Sequence, residues 1–318
     1  SSAVAAFMVR AGRGRVRTFS IGFPEFGFDE SKDAAAVARR LGTEHTELIV
    51  SAVDALAVVP HLADMYDEPF ADSSQIPTHL VSKLTRRHVT VALSGDGGDE
   101  LFGGYNRYRL AEGMSQNLAR VPYGVRRLAA SMLNAVPMKL VDGVASLAPH
   151  GMLPPQTADK LRKFADVMTL EPEGIYRRLV SQCDDPAALA PLAGEHPLTP
   201  WSAEGMAGLP TFLDRMQFLD TATYLPDDIL QKVDRASMAV ALEVRPPILD
   251  HRVVEFAWKL PRRFKIRDGE SKWLLRRVAE QVVPRQLLDR PKMGFGIPLA
   301  DWLRGPLREW AEDLLDPQ

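Results

Sequence analysis

Between Val16 and Ser94 the chain switches repeatedly between short β-branched or aromatic runs and helical periodicity, and this alternation most constrains its fold. "VRTFSIGF" (16–23) reads as a buried strand and "DESKDAAAVARRLG" (29–42) as a helix ended by glycine. "HTELIV" (45–50) reads as a second strand, "AVDALAVVPHLADMY" (52–66) and "IPTHLVSKLTRR" (76–87) as helices, and "HVTVALS" (88–94) as a third strand. Strands separated by helices pair in parallel, so the expectation is an α/β fold with a parallel sheet flanked by helices. Such sheets bind ligands beyond the carboxyl ends of their strands, which is where "SGDGGDE" (94–100) falls. From about Leu110 the strand signals stop. The remainder reads as helices: "TADKLRKFADVM", "EGIYRRLVSQ", "TFLDRMQFLDTATYL", "DDILQKVDRASMAVALEV", "HRVVEFAWKL" and "ESKWLLRRVAEQVV". The expected division is therefore an α/β part over 1–110 and a mostly helical part over 111–318, which completes the site. At 318 residues there is ample apolar material for both.

Charge and cysteine content remove several function classes. Lys and Arg total 39 against 41 Asp and Glu, a formal charge of -2, so the balance argues for a small-molecule substrate and against nucleic acid or a membrane surface. One cysteine, Cys183, rules out a disulfide framework within the chain; a packing role and a reducing, cytoplasmic setting fit it best. The apolar runs are too short and too often interrupted to cross a bilayer, and no signal peptide is recognisable. There is no Walker A pattern, no G-x-S-x-G elbow, and no pair of the seven histidines at zinc-ligand helical spacing. "GFGIPL" lacks the third glycine of a dinucleotide fingerprint and no strand leads into it.

The stretch "VALSGDGGDELFGGY" (91–105) has two readings. In one, Asp96 is a helix N-cap with Asp99 and Glu100 in the first turn, where acids suit the helix dipole. That reading leaves Gly95, Gly97 and Gly98 without a purpose, since glycines at a helix start cost backbone entropy unless something must approach closely. A nucleotide is such a visitor, and Asp96 and Asp99, three apart, suit a magnesium ion carrying a phosphate chain. Lys272 in "DGESKWLLRRV" sits in the first turn of an expected helix, where a cation opposes the dipole; an anionic partner would remove the conflict, and a solvated surface lysine is the plain alternative. In "QKVDRASM", Lys232, Asp234 and Arg235 lie among apolar residues, which suits a bracing ion pair at least as well as substrate contact. "DSSQIP" (72–77) reads as a cap for the following helix through Ser73 or Ser74, in preference to a segment that holds the α-groups of an amino-acid substrate.

"LSGDGGDELFGGYNRY" resembles the signature of the synthetase domain of glutamine-hydrolysing asparagine synthetases of the B type. The likeness continues, in order, through "EPFADSSQIPTHLVSKL", "DDILQKVDRASMAVALEVRPPILDHRVVEFAWKLP", "GESKWLLRRVAEQVVP" and "RPKMGFGIPLADWLRGPL", and so covers nearly the whole chain. The resemblance implies an ATP pyrophosphatase-type fold (adenine nucleotide alpha hydrolase-like) that adenylates the aspartate side-chain carboxylate, releases magnesium pyrophosphate and lets ammonia displace AMP. It implies ATP and Mg2+ as cofactors, with Ile21 lining the adenine pocket, Ser94 and Gly95 touching the nucleotide, Asp99 holding magnesium and Lys272 against the phosphates. Asp96 takes the position linked to forming the adenylate, where the best-known members carry the longer Glu. A β-lactam synthetase, an amidotransferase acting on a larger carboxylate, and a non-catalytic relative remain open, as does a homodimer.

The family's pyrophosphate loop reads S-G-G-x-D-S-S, and this chain opens "SSAVAAFMVRAG", a helical pattern with Val4, Phe7 and Met8 on one face and no initiating Met. The resemblance therefore implies a piece cut within that loop: the preceding central strand, the loop glycines and the amino-terminal glutaminase domain that supplies ammonia are absent. Such a fragment alone is expected to be inactive.

Overall fold

The computed structural model describes residues 1–12, 14–23, 31–136, 157–181, 183, 199–289 and 296–316. Helix α1 (Ser2–Arg10) leads to β1 (Arg17–Gly22), α2 (Ser31–Leu41) and β2 (Glu44–Ile49). The two strands pair in parallel with Ile21 opposite Leu48, so α2 is the crossover helix that parallel pairing requires. Gly42, at φ 68°, turns the chain out of α2. A reciprocal capping box between Ser51 and Asp54 starts α3 (Ala52–Leu56). The single helix expected over 52–66 is broken, because Pro60 has no N–H to continue it; α3 gives way to a 3₁₀ turn (Val59–His61) and α4 (Leu62–Met65). Then follow α5 (Gln75–Arg86), which packs on β1, and β3 (Val91–Leu93) and α6 (Gly98–Phe102).

Helices α7 (Asn106–Ala119), α8 (Tyr123–Ala135), α9 (Thr157–Val167), α10 (Pro172–Val180) and α11 (Phe212–Leu219) follow. Their segment, Tyr105–Leu219, forms a compact unit of its own around Leu118, Val167 and Ile175, with Tyr108 and Tyr176 fully buried. Cys183 is exposed, so the packing role expected for it is not what the fold assigns.

The chain then passes through an 11-residue π-helical segment (Asp220–Leu230) into α12 (Gln231–Met238), β4 (Glu243–Arg245), α13 (His251–Lys259), α14 (Arg262–Lys265), β5 (Ile266–Arg267), β6 (Glu270–Ser271), α15 (Trp273–Ala279), α16 (Arg285–Leu288), α17 (Leu299–Arg304) and α18 (Arg308–Leu315). Asp220–Gln318 belongs to the same compact unit as Ser1–Gly104. Three strands therefore lie beyond Leu110, where none was expected. β4 pairs in parallel with β3, Ala92 opposite Val244; at three residues and followed by Pro246 it is too short to show a period of two, and "AVALEV" read as the end of a helix. β5 and β6 form an antiparallel hairpin around Asp268 and Gly269, whose φ values of 50° and 79° are those of the type I′ turn that Asp-Gly favours.

Among the described residues β1–β2 and β3–β4 are two separate parallel pairs. The main core lies against the first pair: Ile21, Phe23, Val50, Val58 and Ile76 meet Trp302 and Leu307 from the far end of the chain, and Trp302 stands edge-on to Phe23 with ring centroids 6.2 Å apart. Burying each such large side chain is worth roughly 1.5–3 kcal/mol, which fastens the last helices to the first sheet. α1 departs from its sequence pattern. Phe7 and Met8 are exposed, and the small Ala6, at 0% exposure, is the contact residue against Val37 and Val283. A methyl group there lets α1 approach α2 and α15 closely, which a larger side chain would prevent. No helix among the described residues is long and apolar enough to cross a membrane.

Candidate active site

The loop after β3 is fixed at its start by the sheet, where Ser94 N donates to the Arg245 carbonyl at 3.1 Å. Gly95 follows at a point where an added Cβ would collide with the backbone of Ser1, so the N-terminal end of α1 abuts the loop. Gly97, with φ 85°, is the N-cap of α6, and a Cβ there would run into Leu249. Asp96 therefore sits in the turn and does not cap the helix as the plainer reading of the sequence expected. The close approach these glycines permit is, in the first instance, to the protein's own atoms. At the other end Gly103, with φ 68°, closes α6, Gly104 N donates to Asp99 O at 2.8 Å, and any side chain on Gly104 would strike the Asp99 carboxylate. Ser94 Oγ is buried and has no hydrogen-bond partner among the described residues. A buried hydroxyl left unmatched costs about 1–3 kcal/mol, so this one is open to a further partner.

Lys272 reaches this loop from 173 residues beyond Asp99. It is the N-cap of α15 in a left-handed conformation (φ 53°, ψ 37°), and its Nζ lies 3.1 Å from Asp99 Oδ1, both side chains being about one-quarter exposed. Two other positive-φ residues, Asp268 and Gly269, precede it by only a few positions. A lysine in this region costs about 1 kcal/mol or more and persists only where neighbours over-determine it. Here the neighbours are explicit. Glu270 accepts both of its hydrogen bonds from Arg277 Nη2 at 2.8 and 2.9 Å, with Arg276 Nη1 3.8 Å away, and Arg277 Nη1 also meets Glu280 at 2.8 Å. Trp273 lies under two guanidinium groups, Arg267 at 5.1 Å and Arg277 at 5.7 Å. These contacts tie the residues before Lys272 to those after it.

A second charged cluster lies where α12 meets α5. Lys232, only 6% exposed, extends Nζ to Asp72 Oδ2 at 2.5 Å and to Asp228 Oδ1 at 3.3 Å. Asp72 also accepts from Ser74 N at 2.9 Å and from Ser74 Oγ at 2.7 Å, so Ser74 serves the aspartate and its side chain does not cap α5. Burial alone would raise the Asp72 carboxyl, but the Lys232 ammonium and the Ser74 donors outweigh it and hold it below its ordinary value. For Asp228 burial wins, reinforced by the Asp72 charge and only partly opposed by the more distant Lys232, and its carboxyl is pushed up. Burial, with Asp72 and Asp228 adding to it, drives the Tyr66 phenol to about 12. Arg235 Nη2 meets Asp67 Oδ2 at 2.6 Å, so the bracing ion pairs expected of "QKVDRASM" use Lys232 and Arg235, while the acceptors come from other segments.

The fold thus brings Asp99 and Lys272 together beside Ser94, Gly95 and Asp96. Ile21 stands at the C-terminal end of β1, 5% exposed within the main core cluster. Sequence reasoning passed over Asp228, Glu270 and Arg277; for the last two the only signal is the D-G turn immediately before Lys272. No group of three or more His, Cys, Asp or Glu among the described residues could hold a metal by itself. A magnesium ion carrying phosphates takes as few as one carboxylate from the protein, because it keeps waters and phosphate oxygens as its other ligands. Asp99, whose side chain is one-quarter exposed and faces Lys272, is a carboxylate of that kind.

The asparagine synthase family model matches residues 1–318. Among curated proteins, the chain is 33% identical over 303 residues to glutamine-hydrolysing asparagine synthetase 1 of Bacillus subtilis, covering 94% of this chain and 45% of that protein. It is 37% identical over 317 residues to a protein of Mycobacterium tuberculosis provisionally named a glutamine-hydrolysing asparagine synthetase, covering 98% of this chain and 45% of the relative. The chain therefore spans less than half the length of these relatives.

Proposed function

The chain belongs to the asparagine synthase family, and we propose that it carries the ATP-dependent, amide-forming half-site of a cytoplasmic glutamine-dependent asparagine synthetase. In this reading an aspartate side-chain oxygen attacks the α-phosphorus of ATP and pyrophosphate departs. Ammonia, drawn from glutamine in another domain of the full-length protein, then attacks the activated carbonyl carbon and AMP leaves. A carboxylate cannot expel hydroxide, so the adenylate supplies the leaving group that amide formation needs. The observation that carries the proposal is the meeting of Lys272 Nζ and Asp99 Oδ1 at 3.1 Å beside the loop that follows β3. The reading is supported by a cation and an acid meeting beyond the carboxyl end of a parallel strand, where such folds bind ligands.

Each residue then has a task. Ser94 Oγ and the Gly95 backbone contact the nucleotide, and Ile21 bounds the adenine side. Lys272 Nζ holds phosphoryl oxygens as charge builds on them, a role worth orders of magnitude in rate at such sites. Asp99 would hold Mg2+, which when bound neutralises charge on the departing pyrophosphate. Asp96 orients ammonia or takes a proton from it. The test is pyrophosphate release and asparagine formation by the full-length protein with ammonium or glutamine. Asp99→Asn, which keeps the shape and removes the charge, should abolish magnesium-dependent pyrophosphate release, and Lys272→Ala should lower it by a factor of at least ~100. Wild-type rates in both variants would sink the assignment.

A further inference from the structure

Lys272 combines two features that a chain needing only a turn would not combine. Its backbone lies in the left-handed region (φ 53°, ψ 37°), where glycine or asparagine is the ordinary choice, yet it carries a long side chain that reaches the loop after β3. We propose that Glu270 and Arg277 are positioning residues for Lys272: their ion pair closes the chain across Lys272 and so fixes the direction in which its ammonium points. The inference rests on the reading above, in which that ammonium holds phosphoryl oxygens, and adds what aims it.

The pair spans Lys272. Glu270 belongs to β6 and Arg277 to α15, and Lys272 is the one residue between those two elements. A strand running directly into a helix brings such side chains together through the bend at the residue between them, so the left-handed backbone and the ion pair imply one another. Arg277 Nη2 donates to both Glu270 carboxylate oxygens at 2.8 and 2.9 Å, and with the side chains 30% and 19% exposed water screens the pair only in part. Arg277 Nη1 also meets Glu280 at 2.8 Å, which keeps the guanidinium turned towards Glu270. Both sides of the bend are seated. Before it, β6 pairs with β5, Arg267 opposite Glu270, and the buried Ile266 lies where a Cβ on Gly103 would meet it at 3.0 Å, so the hairpin rests on the end of α6. After it, the Trp273 ring is flanked by the Arg267 and Arg277 guanidinium groups at 5.1 and 5.7 Å, and Arg276 N donates to Lys272 O at 2.8 Å. Strain at Lys272 opposes the aimed state and the pair offsets the strain. Without the pair the backbone is free to return to an ordinary region and swing the ammonium away.

The test measures kcat and the KM for ATP in pyrophosphate release by the full-length protein with aspartate and ammonium. Glu270→Gln keeps the shape and removes the charge. It should lower kcat by about 10- to 100-fold, the loss expected when a reacting group is misplaced by about 1 Å, and leave the KM for ATP within about three-fold. Glu270→Asp, which keeps the charge on a shorter arm, should fall between the wild type and Glu270→Gln. Combined with Lys272→Ala, Glu270→Gln should slow the enzyme no further, because nothing remains to be aimed, whereas a merely structural role would multiply the two losses. If Lys272→Ala is slow but Glu270→Gln stays within about three-fold of the wild-type kcat, or if the two losses multiply, positioning is overturned and the proposed function stands. If Lys272→Ala keeps the wild-type rate, the reading of Lys272 falls and this inference with it. Circular dichroism melts establish that Glu270→Gln is folded; should it not be, Arg277→Met is read in its place, and failure of both to fold would assign the pair to stability alone and overturn the proposal.

Discussion

Replacing Lys232 by Met should reveal how strongly the buried cluster supports the fold, and its penalty should depend on pH in a defined direction. Met matches the stem but removes the ammonium, leaving Asp72 and Asp228 facing one another with side-chain exposures of 24% and 28%. Breaking a fully buried pair costs about 3–5 kcal/mol, and the residual access of water here discounts that to about 2–3 kcal/mol at neutral pH. For a compact unit of roughly two hundred residues, each kcal/mol moves the melting temperature by about 2–4 °C, so the variant should melt about 4–12 °C below wild type. In the wild type, Asp72, with its folded value lowered, contributes stability that is present above the unfolded carboxyl value and lost as pH falls through the folded one. Asp228, with its folded value raised, does the reverse: its contribution is complete below the unfolded value and lost as pH rises through the folded one. Without Lys232 both carboxyls are raised by burial and mutual repulsion, so acidification neutralises them and relieves the variant. The deficit against wild type should therefore narrow between about pH 7 and about pH 5, and Asp228→Asn in the Lys232→Met background should recover part of it at pH 7. Melting curves at both pH values test this. A deficit of under about 1 °C at neutral pH, or one that widens on acidification, would refute the reasoning.

Three further outcomes follow from the same geometry. Gly97→Ala should cost about 1–3 kcal/mol in chemical denaturation, from the left-handed backbone and from the displacement of Leu249, whereas Gly113→Ala, where an added Cβ meets nothing, should not destabilise. The Tyr66 phenol should ionise above the ordinary tyrosine range in the difference between wild-type and Tyr66→Phe absorbance titrations; because its folded value of about 12 lies above the unfolded one, its contribution to stability is present below about pH 10 and lost as pH rises through 12, a decline that Tyr66→Phe should lack. Ala6→Leu should destabilise by about 1–3 kcal/mol through overpacking against Val37 and Val283, while Phe7→Ala on the exposed face should cost under about 1 kcal/mol; equal losses would mean that α1 is docked by its larger side chains.

What the sequence determined by itself was local or chemical. β1, β2 and β3 were legible because each is an apolar or β-branched run bounded by turn residues, and α2 because its amphipathic repeat ends at Gly42. The loop after β3 was legible because glycines and acids at a strand end are costly without a purpose. What only the tertiary structure decided were features whose partners lie far along the chain. β4 carries no period of its own and is a strand only because β3 offers it hydrogen bonds. The buried side of α1 is set by how close α2 and α15 come, which favours Ala6 over the larger Phe7 and Met8. Lys272 was marked as a cation in a place that favours an anion, but its neighbour Asp99, the left-handed backbone that aims it and the Glu270–Arg277 brace depend on packing across 173 residues. Asp228 went unremarked because its charge matters only once Lys232 and Asp72 are folded against it. Periodicity reports which face of a segment avoids water; which charges meet is settled by the three-dimensional path of the backbone, because Coulombic and hydrogen-bond energies depend on distances in space that sequence separation does not encode.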